Sequence, residues 1–103
     1  MNIKLTKDAD KALCLIYKEY LIKCDTLSKS ISKEFSNDEL DNLLCDFNSD
    51  DLDDILNELK SAKLIKIYIT GDISLETNGI VYMENRFKNG LKEITDFISK
   101  FIP

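Results

Sequence analysis

The sequence predicts a mainly helical α+β domain with one small β-hairpin. Three observations predict it. Apolar residues recur at helical spacing over most of the 103-residue chain. Chain breakers are scarce: three glycines, at 71, 79 and 90, and one proline, at 103. One window, 64–75, changes period and is rich in β-branched residues around a Gly-Asp turn signal.

The first helix is expected over 9–24, where apolar residues at 9, 12, 13, 16, 20 and 21 make one stripe. Thr6 or Asp8 is its expected cap. A short second helix is expected over 28–35, with Ile31 and Phe35 on one face. Ser36 followed by Glu39 reads as a capping box for another short helix carrying Leu40, Leu43, Leu44 and Phe47. Ser49 or Asp50 is expected to cap a helix over 51–62, buried through Leu52, Ile55, Leu56 and Leu59. Acids crowd its first turn and Lys60 and Lys63 its last, as the helix dipole favours. Residues 64–70 and 73–75 then form a two-stranded hairpin. Helical spacing returns at about 77 and runs to about 101, with Gly90 a point of bending or division.

Hydrophobic residues are 44% of the chain and charged residues 32%, so disorder and a membrane-embedded chain are both excluded. No apolar run approaches the roughly 20 residues of a membrane span. One domain over 1–103 is expected, and cytoplasm is the expected compartment, because no apolar signal region opens the chain. Three cysteines are present with no Cys-x-x-Cys spacing, and histidine is absent. A closed zinc site would therefore need all three cysteines and a carboxylate. The expectation is no metal, no cofactor and three reduced thiols, with Cys14 and Cys45 in the core. Asp46, Asn48, Asp50 and Asp54 have the spacing of part of a calcium loop, but Asp51 and Asn57 replace its glycine and its bidentate glutamate. A helix cap explains them better. Phosphate-binding glycine loops and nucleophile–histidine pairs are absent, so catalysis is not expected.

The order of helix, short helices, capped helix, hairpin and long helix resembles a winged helix-turn-helix domain of the prokaryotic regulator type. The residues that carry the resemblance lie between about 50 and 85. The helix 51–62 leads through Lys63, Leu64 and Ile65 directly into a strand. The return strand ends on Leu75, followed by Glu76, Thr77, Gly79 and Tyr82, a passage similar to the one that follows the wing in such proteins. They place the capping threonine directly after the leucine, where Glu76 stands here. The resemblance implies a three-helix core over about 6–85 and a long C-terminal helix over about 77–101, with 36–48 as an insertion. It also implies that the helix 51–62 enters the major groove and that the wing, about 69–73, touches the DNA backbone.

Charge divides the functional readings. Residues 1–33 carry seven basic and four acidic side chains, 34–59 ten acidic and no basic ones, and 60–103 seven basic and five acidic ones, within a net charge of −5. The apolar stripe of the helix 51–62 must face the core, which leaves Asp51, Asp53, Asp54, Asn57 and Glu58 to solvent, where phosphates would be repelled. Lys29, Lys33, Lys60, Lys63 and Lys66 are either scattered solubility charges or a small basic patch. The first expectation is a DNA-binding transcriptional regulator using those lysines. The alternative is a protein-interaction module whose acidic face, 38–58, meets a basic protein partner. Leu91, Ile94, Phe97, Ile98 and Phe101, with Ile102, form the apolar face of the last helix. That face packs on the first helix or pairs two copies into a homodimer; the mixed charges of its polar face do not make it a membrane-binding helix.

Overall fold

The computed structural model describes residues 3–100. Helix α1 spans Lys7–Cys24, and Thr6 caps it by accepting the Ala9 amide on its hydroxyl. Most of its apolar stripe is used: Ala9, Ala12, Leu13, Cys14, Ile16, Tyr17 and Tyr20 are buried, and Leu21 is half-buried. Helices α2 (Lys29–Ser32), α4 (Ser49–Ser61), α5 (Thr77–Arg86) and α6 (Leu91–Ser99) all pack on α1. The remaining helix, α3, is Asn37–Leu43.

Three short strands form one antiparallel sheet: β1 (Glu34–Phe35), β2 (Ile65–Ile67) and β3 (Ile73–Leu75), in the order β1-β3-β2. The expected hairpin is β2 and β3, with Ile65 opposite Leu75 and Ile67 opposite Ile73. The third strand corrects the expectation of a helix over 28–35. That helix stops at Ser32, and Glu34 and Phe35 extend to pair with Ser74 and Ile73. Period two then puts Phe35 into the core and Glu34 into solvent. A helix would have put Ile31 and Phe35 on one face, yet Ile31 is exposed and Phe35 is buried. Pairing also closes an edge of β3 that a lone hairpin leaves open.

Four further points define the helix ends. Residues 36–48 carry the short helix expected there: Ser36 caps α3 through the Glu39 amide, and Leu40 and Leu44 belong to the core. Asn48, not Ser49 or Asp50, caps α4, because its side-chain oxygen accepts the Asp50 amide at 2.9 Å. Glu76 holds the N-cap position of α5 and makes no side-chain cap bond. The long C-terminal helix is two helices, broken at Phe87 to Gly90, where Gly90 takes a φ of +68° that other residues rarely adopt. The break lets the Phe87 and Phe97 rings meet edge to face at 5.3 Å.

Arg86 closes this part of the core. Its guanidinium binds both carboxylate oxygens of Asp10 on α1, one of them at 2.9 Å, and lies within about 5 Å of the Phe87 and Phe97 rings. Among the described residues, no helix is long and apolar enough to cross a membrane.

Two backbone positions make direct tests. Lys63 follows α4 with a φ of +63°, and the Leu64 amide reaches back to the Leu59 carbonyl, a helix stop that glycine usually fills. Lys63→Gly is expected to raise stability by about 0.5–1 kcal/mol, since glycine adopts this conformation without a Cβ penalty. A Cβ on Gly79 would overlap the Leu64 carbonyl oxygen, which already accepts the Glu76 amide. Gly79→Ala is expected to cost about 1–3 kcal/mol by overpacking α5 against that turn. Urea unfolding of both variants checks the opposite signs.

Candidate functional site

The helix pair α3–α4 carries the acidic block, and three contacts fix its position. The Lys23 ammonium of α1 binds the Glu34 carbonyl at 2.6 Å and the Glu39 carboxylate at 3.0 Å, over the Phe35 ring at 4.1 Å. One cation thereby ties α1, β1 and α3 together. The Asp72 carboxylate, on the hairpin turn, accepts the Asn37 amide at 2.8 Å and anchors the hairpin to the first turn of α3. Glu58 on α4 accepts the Thr6 amide at 2.7 Å and the Thr6 hydroxyl at 2.8 Å. Both bonds sit at the positive end of α1.

Glu58 is therefore a structural contact, which corrects its place among the solvent-facing carboxylates. Asp51, Asp53, Asp54 and Asn57 do stand exposed along α4. Asp38 and Asp41 on α3, Asp46 in the intervening turn and Asp50 at the start of α4 are exposed as well. Among the described residues, none of these seven carboxylates makes an ion pair or accepts a hydrogen bond on its side chain. Along α4, Asp54 lies one turn from Asp50 and Asp51 on one side and from Glu58 on the other. Like charges at this spacing repel by about 0.2–0.5 kcal/mol per pair. The arrangement costs stability in the free chain, and a cationic partner would relieve that cost.

The structure does not gather the five lysines into one site. Lys60 ends α4, Lys63 makes the turn after it and Lys66 projects from β2, with its ammonium 5.1 Å from the Tyr68 ring centre. Lys29 and Lys33 instead line a groove between α2 and α5 that includes none of the other three. The hairpin turn, 68–72, presents Tyr68 and a fully exposed Ile69. Sequence reasoning missed the Lys23 node, the Asp72 anchor and the α2–α5 groove. Each joins residues far apart in sequence, so no local spacing signals it.

The apolar face of α6 is already covered within one chain. Ile94 and Ile98 are buried and Phe97 is half-buried, because the helix packs on α1; Leu91 alone stays exposed. Of the two roles expected for that face, packing on the first helix is the one that its described residues Ile94 and Ile98 take. Phe101, expected in that face with Ile102, lies outside the described residues. Among the described residues, no group of three or more Cys, Asp or Glu side chains is arranged to hold a metal ion.

All three cysteines are free thiols. Cys14 is buried as expected, whereas Cys45 is exposed, since α3 has ended and its position in the turn points away from the core. Burial, reinforced by the Asp10 carboxylate, pushes the Cys14 thiol up to about 12. No family model matches the chain, and no curated protein or solved structure matches it.

Alkylation is expected to modify Cys45 first in the native state and Cys14 only on unfolding, as followed by mass spectrometry. The Cys14 thiol stays protonated in the folded chain after the unfolded one has ionised near its ordinary 9.0. Its contribution to stability is complete below that pH and is lost as pH rises toward about 12. Asp54→Asn removes repulsion with Asp50, Asp51 and Glu58 and is expected to raise stability by about 0.5–1 kcal/mol at low salt. The gain shrinks at high salt in the same urea titration.

Proposed function

We propose that this chain is a winged-helix-like interaction module whose acidic outer surface, on α3, the following turn and α4, docks a basic protein partner. The element order supports the winged-helix part of the reading: two helices joined by a short turn, then a hairpin that returns beside them. Such a fold serves protein binding as readily as DNA binding, so the role is argued from the surface. The observation that carries it is the row of seven exposed carboxylates without partners on the helix pair that would otherwise face DNA. A duplex carries about one negative charge per 1.7 Å of axis, and its binding rests on cations that this face lacks. A basic protein surface finds complementary charge there. The proposed role is binding, not catalysis, and the proposed compartment is the cytoplasm, where free thiols persist.

A second reading keeps DNA as the partner, and one observation favours it. Lys60, Lys63 and Lys66 are all exposed around the passage from α4 into the wing, where a backbone contact would fall. This reading confines DNA contact to phosphates and removes the major-groove role of α4.

One experiment separates the two. Fluorescence anisotropy is measured with a labelled Lys/Arg-rich peptide and with a labelled random duplex, each at about 50 and 200 mM salt, where counterion release is diagnostic. The expected result is peptide binding that falls about tenfold in Asp51→Asn/Asp53→Asn/Asp54→Asn, with no duplex binding. Duplex binding that weakens with salt and in Lys60→Ala/Lys63→Ala, with no peptide binding, would install the regulator reading instead.

A further inference from the structure

The geometry points to a second binding site, the groove between α2 and α5, for a protein segment that places an acidic residue beside an apolar one. It rests on a different surface and on different observations from the acidic face. The groove is shallow and open to solvent, with a volume of about 310 Å³. Lys29 and Lys33 line it, and neither makes an ion pair among the described residues. Lys33 stands by the start of α5, since its carbonyl accepts the Leu75 amide just before that helix. The first turn of α5, the positive end of that helix, has no side-chain cap bond and no acidic residue. Thr77, in that turn, is also part of the lining. Two cations and a residue of that uncapped turn thus line one groove, and a carboxylate is the group whose charge complements them.

The floor beside this positive end is apolar. Tyr20 of α1 and Ile80 of α5 form it, and Val81 remains 47% exposed there. Glu84 closes the lining two turns along α5 from Thr77, about 10 Å further on. That carboxylate chooses between anionic ligands. A nucleic-acid backbone repeats its negative charge along its whole length, so it would run from the lysines onto an apolar floor and then onto Glu84. A peptide carries charge on some side chains only. Its acidic residue occupies the Lys29 and Lys33 end, and a neighbouring apolar side chain covers Val81.

The test is an amide NMR titration of the intact chain with two short synthetic peptides, one of alternating Asp and Leu and one of alternating Lys and Leu. The expected result is saturable shifts at 29–33 and 77–84 with the Asp-Leu peptide and none there with its Lys-Leu counterpart. Lys29→Glu/Lys33→Glu should weaken that binding about tenfold. Val81→Asp, also on the exposed surface, should weaken it too, and the same spectra report whether each variant is folded. Absence of saturable shifts, shifts confined to α3 and α4, or equal shifts with both peptides would overturn the site. A short DNA duplex that produces the same 29–33 and 77–84 shifts would overturn the assignment to a protein segment.

Discussion

Burial of α1 is the constraint on which the rest of the structure depends. Seven of its residues are in the core, and α2, α4, α5 and α6 pack around it. Alanine at 9 and 12 and cysteine at 14 are small enough to let neighbouring helices approach closely. Polar positions on the same helix then become fastening points. Asp10 binds Arg86 and Lys23 binds Glu39, while Thr6 at its cap binds Glu58, so α5, α3 and α4 are each held to α1 by a charged or polar contact. Charge-assisted bonds of this kind add geometric definition to packing that is otherwise non-directional.

The acidic surface follows from the same arrangement. α4 has to turn Ile55 and Leu59 into the core, and the opposite face is left with Asp50, Asp51, Asp53 and Asp54. Two of the ten carboxylates in the acidic block, Glu39 and Glu58, are drawn inward to fasten α3 and α4, and those on the outer surface stand without partners. The chain separates acids that hold the fold from acids that only charge the surface. Self-repulsion in the second group is a cost that packing does not return, and the proposed basic partner would supply the missing counter-charge.

The hairpin joins the two halves of the molecule. β3 lies between β1, which precedes α3, and β2, which follows α4, and Asp72 at the hairpin turn caps the start of α3. The hairpin and the helix pair are therefore joined by strand pairing and by a hydrogen bond at the turn. The groove on the other side, between α2 and α5, is built by the same strand, because the Leu75 amide binds the Lys33 carbonyl and brings the end of α2 beside the start of α5.

The sequence by itself determined the helical class, the α1 stripe with a cap at Thr6 or Asp8, the stripe of α4, the hairpin around Gly71 and Asp72, and the acidic block. Each is written in local periodicity, capping chemistry or charge, which nearby residues decide among themselves. It also left open whether the last helix divides at Gly90, and the structure divides it there. Tertiary structure alone decided that Glu34 and Phe35 form a strand, because two residues have no period to read and their partners stand about 40 positions away. It alone decided that Glu58 is spent on Thr6, that Ile94 and Ile98 are spent on α1, and that Lys29 and Lys33 part from the other lysines. In every such case the deciding neighbour is distant in sequence, and burial or pairing with it outweighs the local preference.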